Sequence, residues 1–122
     1  MALENLIVFN KAYALAMQVF EMTKSFPKDE QYSLTDQIRR SSRSVCANIG
    51  EGYRKKVYPK SFISKLVDAD GECTETIIHL TFAKDCGYID EAHYEKMKAG
   101  YFEVGKILGA IINKPENFVN NH

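Results

Sequence analysis

The chain has 122 residues, of which 45% are hydrophobic and 26% charged, and its formal net charge at neutral pH is zero. That length and balance support one soluble globular domain with a core of its own, and exclude a chain that needs metal or disulfide staples to fold. Cys46, Cys73 and Cys86 are odd in number and widely spaced, which argues against a disulfide framework and against zinc, and leaves three half-buried thiols in a reducing cytoplasm as the expectation.

Apolar periodicity predicts four helices and no strand, at approximately 6–24, 34–56, 59–85 and 91–113 of a single domain, 1–122. In the first helix, Phe9, Tyr13, Ala16 and Phe20 form one stripe and Val8, Ala12, Leu15, Val19 and Met22 a second. Two stripes are more apolar surface than one partner helix covers. Ser25-Phe26-Pro27-Lys28 breaks the helix. Ser33 is the expected N-cap of the second helix, with Asp36 as an acidic variant of the capping box. Leu34, Ile38, Val45 and Ile49 then recur at helical spacing. Pro59 suits the first turn of the third helix, where Phe62, Leu66, Ala69, Cys73, Ile77 and Leu80 share a face and Ile63, Val67, Ile78 and Phe82 add apolar surface. Gly87 is the expected C-cap. Asp90 caps the fourth helix, whose Met97, Tyr101, Val104, Leu108 and Ile111 face inward, with Pro115 beyond its end. The tail N-F-V-N-N-H is expected to fray. Connections of two to eight residues favour antiparallel neighbours. The predicted fold is an all-α, up-down-up-down four-helix bundle.

The second helix contains N-I-G-E-G-Y, residues 48–53. A phosphate-cradling loop is disfavoured, because the segment follows no strand and opens no new helix. Gly50 and Gly52 lie about 200° apart on a helix, so neighbours approach from two sides, within the bundle or from another subunit. Gly71, Gly105 and Gly109 offer similar approach points. Beside them runs a polar stripe, Gln37, Arg40, Ser44, Asn48 and Glu51. It is either a solvated face or a hydrogen-bonded seam at a helix or subunit interface, and Glu51 can also pair with Lys55 at i,i+4.

Charge is unevenly spread. Between residues 39 and 60 stand seven basic residues, Arg39, Arg40, Arg43, Arg54, Lys55, Lys56 and Lys60, against Glu51 alone, so this segment carries +6 and the remainder −6. Arg39 and Arg43 share one face, whereas Arg54, Lys55, Lys56 and Lys60 cluster roughly 22 Å further along the helix. These two patches are a solvated surface or contacts to nucleic-acid phosphates. Tyr53 and Tyr58 either stack on bases or pack.

Other chemistries find little support. A di-iron bundle site uses Glu-x-x-His on two helices, but Glu75 and His79 are four apart and the first helix offers only Glu4 and Glu21. No G-x-S-x-G elbow exists. Asp68, Asp70, Glu72 and Glu75 form an acidic turn better suited to solvent or arginine partners than to acid–base catalysis. The start M-A-L-E-N-L-I-V-F lacks the features of a signal peptide, and no run of about 18 apolar residues is present, so a cytoplasmic protein without membrane contact is expected.

The segment Q-I-R-R-S-S-R-S-V-C-A-N-I-G-E-G, Gln37 to Gly52, resembles the signature of the 23S rRNA-intervening sequence protein family, also called S23-like ribosomal proteins. Gln37, Arg40, Ser44, Val45, Asn48, Ile49, Glu51 and Gly52 match it. F-P-x-x-E-x-Y-x-L (Phe26 to Leu34), Gly71 with Glu75, and C-G-Y-I (Cys86 to Ile89) resemble further family elements. Gly50 stands where the family usually has alanine, and Glu72 where it has serine. The resemblance implies a four-helix bundle assembled as a ring-like homopentamer, with Gln37, Arg40, Ser44, Asn48, Gly50, Glu51, Gly52, Gly71 and Glu75 in helix packing or the subunit interface. It implies no catalytic activity and no cofactor or metal. Similar proteins accompany reverse transcriptases, which makes RNA, DNA or such an enzyme expected partners. The leading expectation is a non-enzymatic homo-oligomeric adaptor using Arg39, Arg43, Arg54, Lys55, Lys56 and Lys60 on phosphates. The alternative is a protein-only scaffold whose basic residues pair with acids across subunits.

Overall fold

The computed structural model describes residues 3–116; the expected fraying of 117–122 lies outside them. Four helices fill this span: α1 (Ile7–Thr23), α2 (Leu34–Arg54), α3 (Pro59–Asp85) and α4 (Glu91–Asn113). Short 3-10 turns at Leu3–Asn5 and Lys28–Glu30 precede α1 and α2, and no strand occurs among the described residues.

Cross-helix contacts fix the topology. Arg39 on α2 reaches Thr23 on α1, whereas Gly50 faces Leu3. Between α2 and α3, Ser41 meets Thr76 and Glu51 meets Lys65. Thr81 meets Tyr94 and Asp70 meets Gly105 between α3 and α4. Lys11 pairs with Glu103, and Leu15 faces Gly100, between α1 and α4. In every pair the numbering falls on one helix as it rises on the other. Neighbours are therefore antiparallel, and the contacts close in the order α1–α2–α3–α4–α1.

Of the two α1 stripes, Val8, Ala12, Leu15, Val19 and Met22 enter the core. There they join Ile38, Val45 and Ile49 of α2, Leu66 and Leu80 of α3, and Met97, Tyr101 and Leu108 of α4. The other stripe stays at the surface, with Phe9 half-buried and Tyr13 exposed. Small side chains bring α2 and α3 together. Buried Ser41 and Thr76 have their hydroxyl oxygens 2.8 Å apart, which satisfies two polar groups that burial alone would penalise. A Cβ at Gly52 would sit 3.3 Å from Leu66 and 3.7 Å from the Phe62 carbonyl.

The close approach of α1 and α4 is at Gly100, where a Cβ would come 2.6 Å from Leu15. Gly71 and Gly109 face open space and Gly105 faces the Asp70 carboxylate. Of the approach points expected on α3 and α4, Gly105 is therefore used, with Asp70 Oδ1 3.3 Å from where its Cβ would sit, whereas Gly71 and Gly109 are not, because glycine spacing does not say which side a neighbour occupies.

Local chemistry sets the ends. Gly87 takes φ +80, and the Tyr88 and Gly87 N–H groups donate to the Ala83 and Lys84 carbonyls at 2.8 and 2.9 Å, a Schellman closure. Asp90 accepts the His93 N–H at 2.7 Å. The start of α2 departs from expectation: Ser33 makes no side-chain cap bond. Its hydroxyl donates instead to Glu30 Oε1 at 2.6 Å, and the same oxygen lies 3.3 Å from the Leu34 N–H. Glu30 thus replaces Ser33 as the cap, and Asp36 turns to Arg40. At the other end α2 stops at Arg54, before the expected residue 56. Lys55 leaves helical geometry at φ −105, ψ 15, and the Tyr58 N–H closes a turn onto the Lys55 carbonyl at 2.8 Å.

Candidate functional site

α2 carries most of the residues singled out from sequence, and its surroundings sort them into three grooves. The first, of about 530 Å³, lies over the N-terminal half of α2 and is lined by Tyr32, Asp36, Arg39, Arg40 and Arg43. Arg39 is seated: its Nε donates to Thr23 Oγ1 at 2.7 Å, and its guanidinium lies 4.9 Å from the Phe20 ring centroid. The Thr23 hydroxyl in turn donates to the Val19 carbonyl at 2.9 Å. Arg40 Nη2 lies 3.2 Å from Asp36 Oδ2, one turn back. Arg43 is exposed and has no ion pair or hydrogen bond among the described residues. Arg39 and Arg43 therefore do share a surface, but with different freedom.

Arg54, Lys55, Lys56 and Lys60 are all exposed around the α2–α3 turn. None of them forms an ion pair with an acid among the described residues. Lys56 Nζ sits 4.2 Å over the Tyr53 ring, a cation–π contact, so Tyr53 packs. Tyr58 does not; it is 66% exposed and Val57 is 72% exposed. The two cationic patches stay at opposite ends of α2.

The polar stripe divides. Gln37, Arg40 and Ser44 line a second groove, about 340 Å³, with Glu72 and Glu75 across it on α3. Asn48 donates to the Ser44 carbonyl of its own helix at 2.9 Å. Glu51 alone reaches across, pairing with Lys65 at 2.6 Å. That pair supersedes the expected i,i+4 partner Lys55, because α3 brings a lysine closer than the helix itself does. Hydrogen bonding and charge from Lys65 hold the Glu51 carboxyl below the usual carboxylate range, and Glu51 raises the Lys65 ammonium. Glu72 is pushed up, first by partial burial and then by the like charge of Glu75. Glu75 also lies 3.6 Å from His79 Nε2. Gly50 and Gly52 do lie on two sides of α2, one toward Leu3 and the other toward Leu66.

The third groove, between α1 and α2, is apolar. Phe9, Tyr13, Met17, Phe20 and Cys46 line some 480 Å³, with Arg43 at its rim. This is the surplus surface of α1.

Two corrections lie elsewhere. Of the cysteines, only Cys46 is half-buried; Cys73 is buried and Cys86 exposed. Burial pushes the Cys46 thiol up to about 11 and that of Cys73 to about 12, which makes both poor nucleophiles at neutral pH. Sequence reasoning also overlooked Tyr32, although it stands in the F-P-x-x-E-x-Y-x-L element. In the same element, Glu30 Oε2 accepts the Tyr88 hydroxyl at 2.8 Å and Phe26 packs against the Tyr88 ring in a tilted pair with centroids 5.3 Å apart. Two family-like elements far apart in sequence, one before α2 and one after α3, therefore form one contact. Among the described residues no group of three or more His, Cys, Asp or Glu is placed to hold a metal ion. No helix there is long and apolar enough to cross a membrane.

Comparison with known proteins agrees with this architecture. A protein of unknown function from the S23 ribosomal protein family of Bacteroides thetaiotaomicron has a crystal structure similar to this chain, with a TM-score of 0.81 at 28% identity. The similarity covers 88% of this chain and 96% of that one. No curated protein matches. The family described as 23S rRNA-intervening sequence protein matches residues 4–110, from the turn before α1 almost to the end of α4. With that span and the Gln37–Gly52 segment forming the body of α2, the chain belongs to the 23S rRNA-intervening sequence protein family.

Proposed function

We propose that this protein is a non-enzymatic, homo-oligomeric adaptor that binds RNA or DNA through phosphate contacts. The observation that carries the reading is the α2–α3 turn. Arg54, Lys55, Lys56 and Lys60 stand there exposed, and the acid nearest in sequence, Glu51, is taken by Lys65. Cations left without acidic partners favour a polyanion. Repetition of this turn around a ring, as family resemblance suggests, would multiply the field without changing the chain's zero net charge. The exposed aromatic face of α1 supplies apolar surface for self-association.

The test is binding of a labelled oligonucleotide by fluorescence anisotropy across a salt series, with mass followed by light scattering. Affinity is expected to fall steeply as salt rises, as counterion release requires. A flat salt dependence, or no binding at about 50 mM salt, would remove the proposal.

A protein-only scaffold is the second reading. Its support is the groove in which Arg40 shares space with Glu72 and Glu75, an arrangement suited to partners across subunits. It predicts that reversing Arg40 or Glu51 lowers the oligomer mass, and that reversing Lys55 and Lys56 leaves nucleic-acid behaviour unchanged.

A further inference from the structure

We infer that the groove over the N-terminal half of α2 takes a single-stranded polynucleotide, with a base stacked on Tyr32 and the adjoining phosphates on Arg39 and Arg43. This rests on the phosphate-binding reading above and adds to it a strand type and a site. Three observations converge on it.

Tyr32 is 88% exposed, the most exposed large hydrophobic side chain among the described residues. An aromatic ring held in water in the short connection before α2 contributes nothing to the bundle's packing. It does present a free π-face, on which any base stacks. Second, Tyr32 shares its concavity with Arg39, Arg40 and Arg43, and the one acid lining it, Asp36, already faces Arg40. Third, the groove is pre-formed on one side. Arg39 is fixed by Thr23 and the Phe20 ring, so its charge is in place without further loss of side-chain freedom. Arg43 is unpaired among the described residues and reaches a ligand without breaking an ion pair.

Duplex DNA or RNA hides its base faces in the stack, so a stacking tyrosine selects single strands or unpaired ends. The arginines supply charge and hydrogen bonds to phosphate oxygens in either chemistry. The shared ligand is therefore an unpaired polynucleotide, and the 2′-hydroxyl decides between its two sources.

The chain contains no tryptophan, so Tyr32→Trp installs a single fluorophore at the site. The full-length variant, checked for helix content by circular dichroism, is titrated with (dT)15, (rU)15 and a hairpin duplex of similar charge. Saturating single strands are expected to quench the tryptophan strongly and the duplex weakly, the stronger of dT and rU naming the natural chemistry. Tyr32→Ala is expected to weaken single-strand binding about 5- to 150-fold, the range for losing one stacked base, while Tyr32→Phe restores it. Anisotropy on the unsubstituted protein separates the two levels. Salt-dependent binding without quenching, or with Tyr32→Ala unaffected, overturns the stacking site and leaves the phosphate reading standing. No binding by any form at about 50 mM salt overturns both. A lower oligomer mass for Arg43→Glu with unaltered strand binding assigns the groove to a copy–copy contact and likewise overturns the proposal.

Discussion

The two basic stretches, one on the N-terminal half of α2 and one around the α2–α3 turn, differ in how their cations are held. In the N-terminal half, Arg39 is bonded to Thr23 and lies against Phe20, Arg40 faces Asp36, and Arg43 closes the same groove. At the C-terminal end, Arg54, Lys55, Lys56 and Lys60 project from a tight turn, exposed and without ion pairs among the described residues. The first set lines a groove in which Arg39 is seated; the second faces solvent. Guanidinium groups fixed in a groove suit contacts of defined geometry, whereas exposed lysines act as a screened field that attracts without selecting. Charge alone would rank the second stretch higher as a ligand surface, but geometry suits the first to the more specific contact.

The sharpest way to break this contrast is to unseat Arg39. Thr23→Val removes the buried acceptor of its Nε, and removal of a hydrogen bond to a charged group costs about 1.5–3 kcal/mol. Urea denaturation is expected to show that cost, while Arg54→Ala at the other end stays within about 0.5 kcal/mol of the parent. Equal costs would mean that the two stretches are held alike.

The double reversal Lys55→Glu/Lys56→Glu tests the open end. Oligonucleotide affinity at about 50 mM salt is expected to fall at least roughly tenfold, and the salt slope to flatten by about two, one for each phosphate no longer neutralised. The thermal midpoint is expected to fall only slightly, as Lys56 gives up its contact over the Tyr53 ring.

A pH series sharpens the contrast further, because the groove end is anchored by ionisable partners. Bonds from Ser33, Tyr88 and the Leu34 N–H hold the Glu30 carboxyl below its ordinary range. A lowered carboxyl contributes stability above its unfolded value, and that contribution is lost as pH falls through the folded value. Tyr88 is pushed up to about 12, chiefly by its hydrogen bond to Glu30. That contribution is complete below the ordinary tyrosine value of about 10 and is lost as pH rises toward 12. The difference in thermal midpoint between the parent and Glu30→Gln is therefore widest near neutrality and narrows at both extremes. A pH-independent difference would show that the Glu30 charge does not hold this end. The smallest effect is expected from Glu51→Gln, since its pair with Lys65 is partly exposed. Its shift in midpoint should vanish near 1 M salt, where the screening length is about 3 Å.

The four helices were legible because their signals are local. Apolar residues at steps of three and four, Pro59 inside a first turn, Gly87 at a positive φ and Asp90 as a cap each act within a few residues of themselves. The candidate site was legible only in part. Arg39 and Arg43 were marked by type and spacing, but the seat that Thr23 and Phe20 give Arg39 comes from another helix. Glu51 was given Lys55, its helical neighbour, and took Lys65 instead. Ser33 was given the cap that Glu30 performs. Tyr32 went unnoticed because an exposed tyrosine and a packed one look identical in a sequence.

What the sequence determined by itself is therefore the number of helices and the residues that cover each apolar stripe, which follow from periodicity and nearest-neighbour chemistry, and the family, which the Gln37–Gly52 segment signals by resemblance. The tertiary structure alone decided which of the two α1 stripes is buried, that Gly100 is where α1 and α4 meet, and that Tyr32 and three arginines share one groove. Those facts depend on the rotation and register of one helix against another. Register is set by the fit of many side chains at once, and no single residue carries it.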